Sequence, residues 1–315
     1  MRSIPERLLT MENETALCTV PDTAILFEGG GYRASYTAGF ANVLLEHGLA
    51  FDFVCGVSAG ASHTVDFVSR DRQRIHDSFI ILADRKPEAG GVRSFLAGKG
   101  YFNADYDYVG CVEDGYMPFD FKAFSENPAR VAIQSTEGDT GRTVVFTKDD
   151  MATPTDLMDK VRMSSTLPGM MQPLTYEGHV MYDGGIGEGA GIPLHLIEKS
   201  ECSRVFVVAT RPFGYRKEPP TDFEKRLYRR ISKGQEGLYQ ALLTRSERYN
   251  QTLDELRKME KEGRAYVARP RTMPVKSTTN DRAKLEDSYA RGHAQAEEEW
   301  AIWESWLFGP QRRTR

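Results

Sequence analysis

The sequence predicts an α/β fold, a three-layer sandwich in which helices cover both faces of a central, mostly parallel sheet. Two consecutive strand–turn–helix units near the beginning of the chain carry this prediction, because such repetition builds parallel sheets. Both predicted strands are continuous apolar runs, as expected for strands that are buried on both faces. With 315 residues, of which 40% are hydrophobic, the chain is long enough to bury such a core.

The first unit begins with a strand predicted over residues 23–27. Three consecutive glycines at 29–31 turn the chain, and apolar residues at helical spacing predict a helix over 35–46. The second unit repeats this arrangement with a buried strand over 51–57 and a helix over 59–69. The two units therefore place the first two strands side by side in one sheet.

Shorter elements follow these units. In chain order they are strands over 129–135 and 142–147, a second pair of strands within 173–182, a central strand over 205–209, a charged helical region from 221 to 263, a strand over 266–268 and a helix over 281–307. The change of composition predicts a main domain over 1–220 and a mainly helical extension over 221–315. If the strand over 266–268 returns to the main sheet, the two parts are continuous.

The charge balance excludes one class of partner. The 41 Lys and Arg residues against 45 Asp and Glu residues give a formal net charge of −4, so no broad positive field is available to hold nucleic acid. No stretch approaches the roughly 18 apolar residues of a membrane span. Glu6, Glu12 and Glu14 interrupt the region in which a signal peptide needs its apolar segment. These patterns predict a cytoplasmic chain.

Cysteine usage gives no indication of a covalent framework. The four cysteines, Cys18, Cys55, Cys111 and Cys202, are scattered and form no C-x-x-C pair. This distribution favours buried free thiols over disulfides or a zinc site. We expect neither a metal nor another cofactor.

The strongest chemical signal is Gly56-Val57-Ser58-Ala59-Gly60, a G-x-S-x-G motif at the junction of the second strand and helix. Small residues at Gly56 and Gly60 allow a sharp turn that exposes the Ser58 hydroxyl at the carboxyl edge of the sheet. The helix that follows points its amino terminus at developing negative charge. In this context the motif predicts a serine nucleophile, and the alternative is a glycine-rich turn that merely contains a serine.

The glycines of the first turn offer backbone N–H groups at a helix start, where an oxyanion or a phosphate can bind. Residues 29–34 also satisfy the G-x-G-x-x-G/A pattern of dinucleotide-binding proteins. That hypothesis lacks an acidic residue at the end of the next strand, since Asp52 lies at its beginning. A P-loop lacks its Lys-Ser or Lys-Thr pair. We therefore favour an oxyanion hole formed by Gly29, Gly30, Gly31 and Arg33.

A serine nucleophile needs a base within about 2.6–3.2 Å of its hydroxyl. His63 lies on the same predicted helix as Ser58 but about 140° around its axis. His179 lies four residues before Asp183 on a predicted strand, so the two side chains could share a face. Asp183 itself stands at a strand end and is followed by two glycines. His179 and Asp183 both remain candidates for the base.

Three motifs in this order, Glu28-Gly29-Gly30-Gly31-Tyr32-Arg33, Gly56-Val57-Ser58-Ala59-Gly60 and Asp183-Gly184-Gly185, resemble those of patatin-like phospholipases. The segment 163–169 is also similar to that family, and the similarity runs from about residue 23 to 210. The resemblance implies a lipid acyl-ester hydrolase of phospholipase A or lysophospholipase type. It also implies a dyad without histidine, in which Asp183 is the base for Ser58, with N–H groups around Gly30 and Gly31 as the oxyanion hole. The region beyond resembles the helical tail of a bacterial subgroup.

Two positions depart from the family pattern. The arginine of the glycine motif is usually followed by glycine, whereas Ala34 stands here, so the turn after Arg33 must accept a Cβ atom. Glu28 stands where plant members carry aspartate. A non-catalytic lipid-binding or regulatory protein that keeps the fold is the second hypothesis for this chain, and a dinucleotide-binding protein is the third.

Two further expectations concern access of a lipid or acyl-ester substrate. Contact with a membrane could involve two sets of side chains, which are Arg226, Arg229 and Arg230 on one helical face and Trp300, Trp303, Trp306 and Leu307 near the end of the chain. The alternatives are that the arginines form a solvated charged face and that the tryptophans belong to the core. The glycine-rich segment 85–100 has the composition of a mobile loop and is our candidate for a lid.

Overall fold

A computed structural model describes residues 17–85 and 88–309 of the chain. Within these ranges one sheet has eight strands: β1 Cys18–Phe27, β2 Leu49–Val57, β3 Arg130–Glu137, β4 Thr143–Thr147, β5 Thr175–Tyr176, β6 His179–Asp183, β7 Arg204–Val208 and β8 Ala265–Ala268. The glutamates used to argue against a signal peptide lie outside the described residues.

The α-helices are α1 Ala34–Glu46, α2 Ala59–Val68, α3 Arg72–Asp77, α4 Val92–Leu96, α5 Cys111–Glu113, α6 Phe121–Glu126, α7 Pro154–Ser165, α8 His195–Glu198, α9 Asp222–Ile231, α10 Glu236–Leu243, α11 Arg245–Lys261 and α12 Arg282–Phe308. Within the described ranges, none of them combines the length and apolar character that a bilayer crossing requires.

The strand order is β5-β6-β3-β2-β1-β7-β8, and β4 pairs with β3 outside this path. The pairs formed by β1 with β2, β1 with β7, β2 with β3 and β7 with β8 are parallel. The pairs that β3 forms with β4 and β6, and the pair of β5 with β6, are antiparallel. The central sheet is therefore mostly parallel, with an antiparallel region at one side, and the predicted fold class is confirmed.

Alternating side chains of β1 show how the layers form. Ile25 and Phe27 belong to a core that packs against α1, α2 and α12. Leu26 lies in a second core, which includes Tyr249 and Leu256 of α11. Because successive side chains of a strand point to opposite faces, the central strands are covered on both sides. This explains their continuous apolar sequences.

The register along β3 brings two distant segments together. Its parallel pairing with β2 ends where Val57 lies opposite Gln134. At the next position of β3, Ser135 pairs with Asp183, the last residue of β6. The turn after Val57 and the carboxyl end of β6 therefore meet at one place on the sheet.

The segment after residue 220 packs against this sheet. Strand β8 pairs in parallel with β7, and α12 crosses α1 so closely that a Cβ atom added to Gly292 would lie 2.0 Å from the Tyr36 carbonyl oxygen.

The charged region predicted from 221 to 263 forms three helices rather than one. The first break contains Lys233 and Gly234, which have positive φ angles of 47° and 85°, a conformation that ends an α-helix.

The expectation of a membrane interface at the carboxyl-terminal tryptophans is wrong for Trp303 and Leu307, because both side chains are buried in the core. Trp303 packs edge-on against Phe40 and Phe206. Trp300 stacks on His47, with 3.5 Å between the ring centroids. These contacts attach α12 to the sheet layer. They agree with the alternative prediction that the tryptophans belong to the core.

Candidate active site

Ser58 occupies the single residue between β2 and α2. Its backbone has φ 57° and ψ −128°, a strained combination for a residue with a side chain. A Cβ atom added to Gly56 would lie 2.2 Å from the Gly60 carbonyl oxygen, and one added to Gly60 would lie 2.2 Å from the carbonyl oxygen of Phe27. Close backbone contacts thus require both glycines of the motif, and the sharp turn projects Ser58 beyond the strand.

Asp183 lies beside this turn at the end of β6. Its Oδ2 atom accepts a 2.7 Å hydrogen bond from the Ser58 Oγ, and its Oδ1 accepts a 2.6 Å hydrogen bond from the N–H of Gly185. The carboxyl group is buried, and this burial raises its pKa above the usual value, although Arg245 and the Ser58 hydroxyl act in the opposite direction. Both carboxylate oxygens are therefore held in a defined orientation.

The two histidine candidates make other contacts. His179 lies near the edge of the sheet, where its Nδ1 is 2.8 Å from Oδ2 of Asp139. His63 is fully buried beside Thr37, with 3.0 Å between Nε2 and the threonine Oγ1. Burial lowers the pKa of His63 to about 3, so this ring is neutral at physiological pH. In the described part of the chain, the structure brings Asp183 and not a histidine into hydrogen-bond contact with Ser58.

The glycine turn after β1 provides backbone donors at the same place. The Gly29 N–H is occupied by a 2.9 Å hydrogen bond to the Gly191 carbonyl oxygen, and that of Arg33 reaches the Gly30 carbonyl at 3.3 Å. No hydrogen bond among the described residues uses the N–H of Gly30 or Gly31. Of the four residues predicted for an oxyanion hole, these two retain available backbone donors.

Ala34 does not disturb this turn. Its φ of −64° and ψ of −16° are helical values that any L-residue adopts. The Cβ atom that replaces the usual glycine is thus accommodated at the start of α1, and the expected difficulty after Arg33 is absent.

A cavity of about 280 Å³ connects these groups. Ser58, Asp183 and residues 29–33 line it. Its apolar lining comprises Val65, Phe79, Leu82, Phe102, Met117, Met158, Val161, Leu167 and Met171. Such a surface suits a hydrocarbon chain. The Ser58 hydroxyl, the Asp183 carboxyl group and the glycine turn therefore border a space that can hold an apolar ligand.

Arg74 lines this cavity in an ion pair with Asp66, and four further cations of the described residues line it as well, namely Arg33, Arg211, Lys217 and Arg245. Apart from Arg33, the sequence analysis did not single out these side chains as site residues. Arg211 follows a buried strand at the sheet edge where the site lies, which is a usable signal. Lys217 and Arg245 lie in a loop and a charged helix, and their local sequence gives no comparable indication.

Glu28 connects the site to the carboxyl-terminal segment. Its Oε2 accepts a 2.6 Å hydrogen bond from the N–H of Thr210, and its Oε1 accepts one of 2.7 Å from the Tyr249 hydroxyl. The side chain is only 2% exposed. Glu28 thereby joins the end of β1 to the segment after β7 and to α11.

Two groups of described residues have donor atoms close enough to bind a metal ion: Glu46 with His293 and Glu297, and Glu137 with Asp139 and His179. Both groups already contain ion pairs. Arg72 pairs with Glu46, and Arg142 pairs with Glu137. Neither group includes a residue that lines the cavity at Ser58.

Comparisons with known proteins identify the family of the chain. A family model described as patatin-like phospholipase matches residues 25–196, which is more than half of the chain. A second model, for a domain of unknown function (DUF6363), matches residues 235–308. Among solved structures, that of VipD from Legionella pneumophila gives a match with 12% sequence identity and a TM-score of 0.41, covering 88% of this chain and 67% of that one. No curated protein sequence gives a significant match.

Proposed function

Because the chain belongs to the patatin-like phospholipase family, we propose that it is a serine acyl-ester hydrolase acting on lipids through a dyad of Ser58 and Asp183. The observation that carries this proposal is the 2.7 Å hydrogen bond from the Ser58 hydroxyl to the Asp183 carboxylate. Since no other protein acid or base contacts that hydroxyl among the described residues, Asp183 is the group available to take its proton.

In the first half of the reaction, Asp183 accepts the Ser58 proton while the serine oxygen attacks the ester carbonyl carbon. The carbonyl oxygen becomes an oxyanion, and the N–H groups of Gly30 and Gly31 stabilise it. When the intermediate collapses, the ester C–O bond breaks and the proton on Asp183 passes to the leaving alcohol. The product is an acyl ester of Ser58.

In the second half, a water molecule takes the place of the alcohol. Asp183 accepts a proton from this water as its oxygen attacks the acyl carbonyl carbon, and the same N–H groups stabilise the second oxyanion. Collapse releases the fatty acid and returns the proton to Ser58. The apolar part of the cavity is the proposed binding region for the acyl chain.

Hydrolysis of a short acyl nitrophenyl ester tests this function. Ser58→Ala and Asp183→Asn should each reduce kcat/KM by about 10³-fold or more, as loss of a nucleophile or its partner does in serine hydrolases. His179→Gln serves as the control and should retain wild-type activity. Wild-type rates in either dyad variant would exclude the mechanism, whereas the absence of hydrolysis by the wild-type protein would favour the non-catalytic lipid-binding hypothesis.

Peripheral contact with a bilayer is the second part of the proposal, and α9 is its location. This helix has no buried residue, and it exposes 73% of Phe223 and 42% of Leu227. Arg226 and Arg230 lie beside them on the helix. An exposed apolar face flanked by cations is typical of helices that lie on anionic membranes.

The position of α9 supports this part of the proposal. Its last residue, Ile231, lies against Gly169, and Leu167 and Met171 on either side of that glycine line the cavity. A lipid could therefore pass from a membrane below α9 toward Ser58. Arg229 is paired with Glu236 and is not counted among the cations offered to the membrane.

The segment 85–100 remains our candidate for the lid. Residues 86 and 87 of this segment lie outside the described residues. The helix α4 within this segment exposes Val92, Phe95 and Leu96, and the adjoining Gly100 forms a backbone bridge to Met171, which lines the cavity.

Two further predictions are retained, namely a cytoplasmic location and a division of the chain near residue 220. Strand β8, which follows this division, completes the sheet.

A further inference from the structure

Four of the five cations that line the cavity have no acidic partner among the described residues, and the fifth, Arg74, is paired with Asp66. Arg142, Arg162 and Arg216 elsewhere in the chain are each paired with a carboxylate. By contrast, no carboxylate of the described residues forms an ion pair with Arg33, Arg211, Lys217 or Arg245. Four basic side chains without a carboxylate partner therefore line one partly enclosed space next to Ser58.

Neutral groups hold these cations in place. Lys217 donates a 2.8 Å hydrogen bond to the Ala190 carbonyl oxygen, and the Nε of Arg245 donates one of 2.6 Å to the Gly185 carbonyl oxygen. The Nε of Arg33 is buried without any hydrogen-bond partner. Each cation therefore keeps N–H groups that the protein does not use, since an ammonium has three donors and a guanidinium five.

Four acids line the cavity, and the two that interact electrostatically with this cluster, Glu28 and Asp183, are already occupied. Glu28 accepts hydrogen bonds from Thr210 and Tyr249, and Asp183 accepts them from Ser58 and Gly185. Although Glu28 acts in the opposite direction, burial and the mutual repulsion of the cluster lower the pKa of Lys217 well below its usual value and that of Arg33 to about 10. Binding of an anion would relieve this repulsion.

Next to these four cations, a positively charged headgroup would find no free carboxylate among the described residues, since Glu28 and Asp183 are occupied. Cations are best held by carboxylates or by the faces of aromatic rings. The ring of Tyr215 is already covered by Arg211, at 4.0 Å, and the ring of Tyr249 by Lys217, at 3.8 Å. A headgroup amine placed among these side chains would add repulsion.

We propose that Arg33, Arg211, Lys217 and Arg245 form a subsite for a phosphate group of the lipid substrate, and that the enzyme prefers esters whose headgroup carries phosphate without an amine. This inference rests on the proposed hydrolase function. It assigns the apolar cavity wall to the acyl chain and the cationic wall to the headgroup, with the ester between them at Ser58. Arg245 belongs to the segment matched as a domain of unknown function, so that segment would take part in substrate selection.

The test compares three substrates with the same acyl chain in neutral detergent micelles: lysophosphatidic acid, lysophosphatidylcholine and monoacylglycerol. Wild-type kcat/KM should be at least about tenfold higher for lysophosphatidic acid than for the other two lipids, because one charge-assisted hydrogen bond contributes about this factor. Arg211→Gln should reduce this preference about tenfold, because it removes one cation of the subsite. No hydrogen bond of Arg211 to another described residue is lost in this variant. Arg291→Gln, which changes an exposed arginine of α12, should leave the preference unchanged. Equal kcat/KM for the three lipids, or an unchanged preference in Arg211→Gln, would overturn the subsite.

A binding measurement separates this inference from the hydrolase proposal. In calorimetric titrations, the Ser58→Ala protein should bind lysophosphatidic acid more tightly than lysophosphatidylcholine, and Arg211→Gln in that background should remove the difference. This result would support the subsite even if the wild-type protein hydrolysed none of the lipids, in which case only the proposed function would fail. Equal affinities would overturn the subsite. Tight binding of inorganic phosphate without a lipid preference would overturn the assignment to substrate.

Discussion

The Ser58 Oγ donates a 2.7 Å hydrogen bond to the Asp183 Oδ2 across 125 positions of sequence. The pairing register of β3 accounts for this contact, because the Val57–Gln134 pair is followed directly by the Ser135–Asp183 pair. Ser58 leaves the sheet at the place where Asp183 ends its strand. The contact is therefore a property of the sheet topology, and flexible loops are not needed to form it.

The pH dependence of ester hydrolysis should reflect the buried position of Asp183. Because desolvation raises the pKa of this carboxyl group and only its ionised form accepts the serine proton, kcat/KM should fall as the pH decreases through that raised pKa. The measurement is a pH–rate profile with a nitrophenyl ester, whose leaving group needs no protonation. A rate that rises on acidification would contradict Asp183 as the base. His179→Gln should leave the profile unchanged.

The sequence was sufficient for the parts of the site that depend on local pattern. Continuous apolar runs predicted β1 and β2, and the glycines around Ser58 predicted the sharp turn, since close backbone contacts leave a recognisable composition. Asp183 was one of two bases left open by the residues alone, and the family resemblance pointed to it. The contact between the two depends on register along β3, which no local pattern encodes.

Other features depend on tertiary packing and were beyond reach of the sequence. Lys217 reaches the cavity from a loop and Arg245 from α11. In such segments the local sequence does not distinguish a cation that lines a cavity from one exposed to solvent. The same limit applied at the carboxyl terminus, where spacing alone could not decide between a membrane interface and the core for Trp303. Its burial follows from the close crossing of α12 over α1.

Substitution of Gly31 should impair the oxyanion hole. Gly31 has a φ of +54°, and a Cβ atom there would lie 2.5 Å from the Ser277 carbonyl oxygen, so Gly31→Ala must displace the turn. Loss of one oxyanion donor costs about 10²–10³ in rate, and kcat should fall by this amount. Gly178→Ala is the matched control, because Gly178 also has a positive φ, of 87°, but no atom near the added Cβ.

The control distinguishes a local effect from general backbone strain. Both variants should lose some thermal stability, since alanine is disfavoured at positive φ, but only Gly31→Ala should lose activity. Comparable rates for the two folded proteins would show that the N–H of Gly31 does not stabilise the oxyanion.

Membrane contact through α9 predicts a lipid dependence that flotation can measure. The wild-type protein should float with vesicles of phosphatidylglycerol more than with those of phosphatidylcholine, because Arg226 and Arg230 flank the apolar face. A double substitution, Phe223→Ser with Leu227→Ser, should reduce the bound fraction several-fold. Ile302→Ser provides a control, since Ile302 is 59% exposed but lies on α12. If the Phe223→Ser/Leu227→Ser protein and the Ile302→Ser protein float equally well, α9 is not the membrane-contacting helix.

Covalent labelling tests the central claim most directly, because a fluorophosphonate reacts only with a serine that its surroundings activate. After incubation with the probe, peptide mass spectrometry should find the adduct on Ser58 in the wild-type protein and in His179→Gln. Asp183→Asn should show at least about tenfold slower labelling. A modified residue other than Ser58, or undiminished labelling of Ser58 without the Asp183 carboxylate, would contradict the dyad.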